Sequence, residues 1–278
     1  MPDACWYEQM YGSRDATLMD LEPGHEFFLR DTHAPGRGRL LDIGCGTGNF
    51  LAAARDTGYE VTGTELDRHA ANFAKEKFGL ARVFGLTITD FVKKYSADKF
   101  DVITFFEVLE HQADPLEFLE SVKACLCSRG YIALSVPNRG RWQTGPDMLD
   151  YPPNHFLRWS ELALNKFLSA GGFEVVSLRE QSAGLRYAAQ MINTKLRTGL
   201  SKRIGGPLPQ SFRDVMQMDF EEAEAALQAK PPARQIAMRW LGRAKSWACL
   251  PIALGIYPYL RIKRLKGPYL YLLARQRH

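Results

Sequence analysis

From residue 38 onward, apolar residues fall in short solid runs separated by stretches with helical spacing. GRLLDIG (38–44) is the first run, and a helix follows through NFLAAARDTG (49–58). YEVTGTE (59–65) is the second, followed by DRHAANFAKEKFG (67–79), whose apolar positions recur as on one helix face. ARVFG (81–85) reads as a short third strand and FDVITFF (100–106) as a fourth, apolar on both faces. Asp114-Pro115 supplies a cap and a first-turn proline for PLEFLESVKACL (115–126). GYIALSVPN (130–138) is the fifth strand, SELALNKFLSAGG (160–172) a helix closed by a glycine pair, and FEVVSLRE (173–180) the sixth strand. Strands apolar on both faces and alternating with helices predict a doubly wound α/β fold, its sheet mainly parallel and covered on both sides. Ligands in such sheets bind at the carboxyl ends of the strands, near the switch point beside the first strand. The candidate polar residues of this chain all fall at those ends.

The segment 184–266 breaks the alternation. It carries Gly-Gly-Pro and Pro-Pro punctuation, the acidic DFEEAEAA, the helix-like AMRWLGRAKSW, and the apolar ACLPIALGIYPYL followed by RIKRLK. GPYLYLLARQ (267–276) then reads as one more strand, so the segment is expected to be a helical insertion before the seventh and last strand.

Bulk properties narrow the class without defining it. The chain has 278 residues, 46% apolar and 24% charged, ordinary for a folded globular protein. MPDACWYEQMYGSRD shows neither the basic start nor the apolar core of a secretory signal. The five cysteines are odd in number and lack metal-type spacing, so a reducing, cytoplasmic setting is expected. Charge is uneven: from Arg186 onward there are 17 Lys/Arg against 5 Asp/Glu, and before it 19 against 26. A basic C-terminal third fits an anionic partner or a solvated basic face equally well. ACLPIALGIYPYL has 13 residues, too short to span a bilayer, leaving for 240–266 either a peripheral contact at the inner membrane surface or the buried wall of a substrate pocket.

The most specific feature is LLDIGCGTGNF. Gly44, Gly46 and Gly48 alternate in the turn after the first strand, where glycine tolerates positive φ and close approach of a ligand. The G-x-G-x-G spacing differs from the dinucleotide fingerprint, and no lysine follows as in a phosphate loop. Asp42 is placed to receive an amine, and Glu65, 21 residues after Gly44, to accept both hydroxyls of a ribose. An amine end and a ribose clamp without phosphate chemistry point to a nucleoside that carries an amino acid.

In LLDIGCGTG, VTGTELD, FDVITFFEVLEH, GYIALSVPN and HFLRWSELALNKFLSAGGFEV, residues 38–180 resemble the class I S-adenosylmethionine-dependent methyltransferases. More narrowly, the chain is similar to the branch of the ubiquinone-biosynthesis O-methyltransferases. The resemblance implies a seven-stranded Rossmann-like methyltransferase sheet, with 1–37 a helical lid, 38–183 the cofactor-binding core, 184–266 the insertion and 267–278 the final strand. It further implies that Asp42, Gly44, Cys45, Gly46 and Gly48 hold the methionine moiety and Glu65 the ribose. Leu66 lies beside the adenine, Leu86 and Thr87 close on it, and Glu107 faces the cofactor. Tyr7 and Tyr11 are the expected lid residues.

The stretch FEVLEH places Glu107, Glu110 and His111 at the end of the fourth strand, and three readings of it stay open. The three residues, with His155 of HFLRW as a fourth, would bind a divalent ion such as Mg²⁺ or Zn²⁺, as the similar E-x-x-E-H pattern does in metal-dependent relatives. Alternatively His111 or His155 is a general base oriented by the carboxylates. In the third reading, Glu107 meets the cofactor while Glu110 and His111 begin a helix. A resident metal is not expected. The function implied is methyl transfer from S-adenosylmethionine to a small-molecule or lipid-linked acceptor, at oxygen. An RNA methyltransferase is disfavoured because no base-stacking module or RNA-binding domain is visible. A non-catalytic cofactor-binding regulatory protein is the remaining alternative.

Overall fold

The structure, a computed structural model, describes residues 21–141, 150–152, 154–182 and 265–277, with single positions between 184 and 258. The chain divides into two compact units, one formed by Met1–Arg141, Asp147–Gln181 and Pro268–His278, the other by Trp142–Pro146 and Ser182–Gly267.

The first described helix is α1 (Pro23–Leu29), followed by β1 (Gly38–Ile43), α2 (Asn49–Asp56), β2 (Tyr59–Thr64), α3 (Arg68–Phe78), β3 (Val83–Phe84) and α4 (Ile88–Lys94). After β4 (Phe100–Phe106) come a single 3₁₀ turn (Leu109–His111), α5 (Pro115–Cys125), β5 (Leu126–Pro137), α6 (Glu161–Ala170), β6 (Phe173–Ser182) and β7 (Lys266–Gln276). Seven strands form one sheet in the order β3-β2-β1-β4-β5-β7-β6. Parallel ladders join β1 to β2 and β4, β2 to β3, and β4 to β5, while β7 lies antiparallel to β5, with Ser135 opposite Tyr271. The order reverses between β1 and β4, so the switch point falls between the glycine turn and FEVLEH.

The doubly apolar strands fill two cores, one on each face. Leu41, Ile103, Phe105, Ile132 and Leu134 pack under α5 and α6 residues such as Phe118 and Leu164. Leu40, Val102, Ala133 and Tyr271 pack with Phe28 of α1, Phe50 and Leu51 of α2, and Ala71 and Ala74 of α3. Helix starts follow the caps: Asp67 for α3, Thr87 for α4, Asp114 for α5 and Ser160 for α6 each accept a backbone N–H from the first turn. Asp114 Oδ1 accepts from Leu116 and Glu117, both at 3.0 Å. Replacing it by alanine is expected to lower the unfolding free energy by about 1 kcal/mol in denaturant titrations, without affecting ligand binding.

Two local differences from the sequence reading matter for the site. α4 was hidden because its seven residues follow a short strand and fall within a polar stretch, and its cap is the same Thr87 expected at the adenine. Glu110 and His111 do not begin an α-helix. They form the 3₁₀ turn, and α5 begins only after the Asp114 cap.

Candidate functional site

The turn after β1 is built from three left-handed glycines, Gly44, Gly46 and Gly48, with φ of +73°, +52° and +79°. Gly44 and Cys45 donate their N–H groups to Thr64 O at 2.8 and 3.0 Å, tying the turn to the end of β2. The three glycines serve different needs. A Cβ at Gly48 would meet Ala74 Cβ at 2.7 Å and Leu80 Cδ1 at 2.8 Å, and one at Gly44 would meet Val108 Cγ2 at 2.8 Å. A Cβ at Gly46 would meet nothing within 4 Å. Gly44 and Gly48 are therefore demanded by protein packing, whereas Gly46 borders open space where a ligand can approach the backbone. The Gly44 contact also shows that the exit of β4, at Val108, lies against this turn.

Two acids flank the turn. Asp42 is buried and accepts from Thr104 Oγ1 at 2.6 Å. Burial pushes its carboxyl up to about 8, the Thr104 bond opposing and nearby Glu65 and Glu22 adding to the rise. Glu65 accepts from Gly46 N and Asp67 N, both at 2.8 Å, linking the β2 end to the open glycine; burial raises its pKa despite those bonds. Cys45 is buried under Gly63, Leu66 and Leu86 are half-buried, and the exposed Gly85 leaves room above Glu65 O, where a Cβ would come no closer than 3.9 Å. Thr87 Oγ1 accepts from Asp90 N at 3.1 Å and donates to Asp90 Oδ2 at 2.8 Å.

At the β4 exit the polar residues separate into two groups. Glu107 takes a positive φ of 55°, unusual for a residue with a side chain, and accepts from Ser135 Oγ at 2.8 Å. Burial pushes its carboxyl up to about 8, with Glu22 reinforcing and Ser135 opposing. Glu110, His111 and His155 form the second group, each offering a ligand atom within 4.8 Å of the others, and Glu107 does not belong to it. Both carboxylate oxygens of Glu110 are buried without a hydrogen-bond partner, and burial, then the Glu107 charge, raises its pKa well above the usual range. His111 Nδ1 lies 2.6 Å from Asn154 O; since a carbonyl only accepts, that nitrogen carries the proton, leaving Nε2 as the lone-pair atom 4.0 Å from Glu110 Oε1. Burial lowers the His111 pKa to about 4, so the ring is neutral near pH 7 and a weak proton acceptor. The His155 ring meets it edge-on, with centroids 4.8 Å apart.

His155 reaches this place on a strap, 150–159, that follows β5. Phe156 N and Leu157 N donate to Glu110 O at 2.9 and 3.1 Å, and Arg139 N donates to Trp159 O at 2.9 Å. Asp150 sits at the strap's beginning, buried against Arg141, Arg158 and His155.

The structure thus brings His155 to Glu110 and His111 across more than forty residues, and turns Glu107 toward Ser135 instead. Tyr7 and Tyr11 lie outside the described residues, as does most of 240–266. Sequence reasoning missed Ser135, Asp150 and Glu22. The first two sit in a strand and a loop with no motif of their own, and pairing register alone could have suggested Ser135. No helix among the described residues is long and apolar enough to cross a membrane.

The strand order with an antiparallel seventh strand, the glycine turn at the switch point and the acid ending β2 define the class I S-adenosylmethionine-dependent methyltransferase fold. The model of the methyltransferase domain family matches residues 16–178, more than half of the chain, which therefore belongs to that family. The ubiquinone biosynthesis O-methyltransferase of Actinobacillus pleuropneumoniae serotype 7 is 39% identical over 108 residues, 36% of this chain and 46% of the relative. That of Ruegeria sp. is 36% identical over 118 residues, 40% of this chain and 47% of the relative. The chain thus spans just under half the length of these curated relatives. Among solved structures, a SAM-dependent methyltransferase from Archaeoglobus fulgidus superposes with a TM-score of 0.53 at 17% identity, covering 98% of each chain. The [4+2]-cyclase SpnF superposes at 0.52 with 22% identity, covering 91% of this chain and 80% of its own. At these identities the likeness concerns the fold.

Proposed function

We propose that the chain transfers a methyl group from S-adenosylmethionine to an oxygen of a small-molecule or lipid-linked acceptor, of the kind met in ubiquinone biosynthesis. The observation that carries this reading is the Glu110–His111–His155 group, its first two members buried and His155 half-buried, set at the β4 exit whose Val108 touches the glycine turn. The open face of Gly46, the buried Asp42 and the half-buried Glu65 fit the cofactor, whose cationic amine would be attracted by Asp42 and whose ribose hydroxyls by Glu65. Leu66, Leu86 and Thr87 would border the adenine. The cofactor supplies an activated methyl on a sulfonium carbon, so much of the rate comes from placing the acceptor oxygen in line with it. The acceptor hydroxyl gives its proton to His155 as that oxygen takes the methyl. His111, neutral with its Nδ1 proton donated in a hydrogen bond to Asn154 O, shapes the pocket and is too weakly basic to compete.

A second reading is favoured by the orphaned Glu110 oxygens. Buried carboxylate oxygens beside two imidazoles fit a divalent ion, which Glu110, His111 and His155 would hold and which would lower the pKa of a hydroxyl. Labelled S-adenosylmethionine offered with hydroxylated aromatic acceptors, with and without a polyprenyl tail, and separately with RNA, tests the function. Label is expected in the aromatic product; label in RNA alone, or in none despite cofactor binding, would overturn it. Chelator sensitivity of the same reaction, reversed by Mg²⁺ or Zn²⁺, separates the metal from the base. Flotation of the full chain with anionic vesicles tests the peripheral membrane contact proposed for 240–266.

A further inference from the structure

We propose that Asp150 is a positioning residue for His155, fixing its imidazole proton on Nδ1 so that Nε2 carries the lone pair offered to the acceptor. The inference rests on the role given to His155 above and adds the residue that sets its tautomer.

Asp150 is buried, and a buried carboxylate needs partners. Its two oxygens divide the work. Oδ2 lies 2.5 Å from Arg141 Nη2 and 3.6 Å from Arg158 Nη2, whereas Oδ1 faces His155 Nδ1 at 3.6 Å. The guanidiniums hold the carboxylate through Oδ2, and Oδ1 is the oxygen in contact with the imidazole. At 3.6 Å the contact is longer than a hydrogen bond, and contacts of this kind commonly shorten when substrate binds. A carboxylate oxygen can only accept, so the nitrogen it faces is the one that keeps the proton.

The same strap treats the neighbouring ring in the same way. Asn154 O accepts a hydrogen bond from His111 Nδ1 at 2.6 Å, so Asn154 and Asp150, four residues apart, orient both imidazoles with Nδ1 turned to the strap. The strap is fixed at each end to the chain leaving β5. Trp159 bridges to Asn138, and Asp150 pairs with Arg141, which donates from Nη1 to Asn138 O at 3.3 Å. Between these anchors, Asn154 N and His155 N donate to Tyr151 O at 3.1 and 3.2 Å, presenting His155 in a turn. An acid needed only to neutralise Arg141 would not require its second oxygen to face the imidazole.

The test is the tautomer of His155 in the full chain carrying ¹⁵N-histidine, read at about pH 8.5, where an unperturbed imidazole is neutral. In the unmutated protein His155 is expected to be Nδ1-protonated, the reverse of what an unconstrained imidazole prefers. An Nε2-protonated or doubly protonated ring would overturn the proposal whatever any variant does. In Asp150→Asn the ring is expected to move toward the Nε2-protonated form, and kcat to fall roughly 10- to 100-fold while KM for S-adenosylmethionine stays within about twofold. An unchanged tautomer in that variant would overturn the proposal. Arg158→Met, which removes one cation from Asp150 and leaves the imidazole contact, is expected to keep the Nδ1-protonated form. If Asp150→Asn does not fold, the unmutated spectrum decides. Absence of methyl transfer with an Nδ1-protonated His155 would count against the proposed function and leave the tautomer assignment standing.

Discussion

Gly46→Ala is expected to remove most S-adenosylmethionine binding from a protein that still folds, and Gly48→Ala to do the reverse. Both residues sit at positive φ, where alanine costs roughly 1–2 kcal/mol, so strain alone does not distinguish them. Space does. The methyl added at Gly46 enters a volume clear to 4 Å and lands where a ligand would lie against the turn. The methyl added at Gly48 strikes Ala74 Cβ at 2.7 Å and Leu80 Cδ1 at 2.8 Å, one on α3 and the other just beyond its end. Overpacking there adds about 1–3 kcal/mol to the strain. Calorimetric titration with S-adenosylhomocysteine, alongside denaturant melts, should give at least a tenfold affinity loss with a small stability loss for Gly46→Ala. Gly48→Ala should show a stability loss of a few kcal/mol. Undiminished affinity in Gly46→Ala would mean that the ligand does not lie on this face of the turn.

Without ligand, the protein should lose stability as pH rises from about 6.5 to about 8, above the window in which the buried His25 and His111 act in the opposite sense. Asp42 and Glu107 are both pushed up to about 8 by burial. A carboxyl whose folded pKa exceeds its unfolded value binds protons more tightly in the folded state. Its contribution is complete below the unfolded pKa and is lost as pH climbs through the folded one. Asp42→Asn keeps a partner for Thr104 Oγ1 and removes the titration. It is therefore expected to be more stable than the unmutated protein at pH 8, on the order of a few kcal/mol, and to show a flatter pH dependence in urea titrations. It should also bind S-adenosylmethionine far less well, because the charge that destabilises the fold is the one that meets the cofactor's amine. Greater stability with weaker binding marks a residue kept for function. His25 and His111, held down to about 4 by burial, act in the opposite sense up to their unfolded pKa, so the decisive comparison is with the variant. An unchanged pH dependence in Asp42→Asn would show that this carboxyl is not held up by burial.

Much of the fold was legible because its signals are local. Solid apolar runs separated by helical spacing placed six strands of the main unit, and β7 followed from GPYLYLLARQ. The glycine turn and Glu65 were legible because both belong to one strand–helix–strand unit, and the structure joins them by the Gly46–Glu65 bond. What resisted reading depends on distant pairing. One of the three readings made Glu107 a partner of Glu110 and His111 because it is near them in sequence, whereas at positive φ its carboxylate meets Ser135 on the neighbouring strand. Asp150 carries no motif, and its meaning comes from Arg141 and His155 meeting it in space. Thr87, expected at the adenine, also caps a helix too short to announce itself.

The most direct measurement separates binding from chemistry at the β4 exit. His155→Ala and Glu110→Gln are compared with the unmutated chain for S-adenosylhomocysteine affinity and for the rate of labelled methyl transfer. Affinity is expected to stay within about threefold, since the cofactor rests on the glycine turn, Asp42 and Glu65, while transfer falls at least a hundredfold in His155→Ala, the scale of a lost general base. An equal fall in Glu110→Gln is expected only of the metal reading. Transfer that persists in both variants, or that falls only in step with affinity, would contradict a reaction centre built from Glu110, His111 and His155.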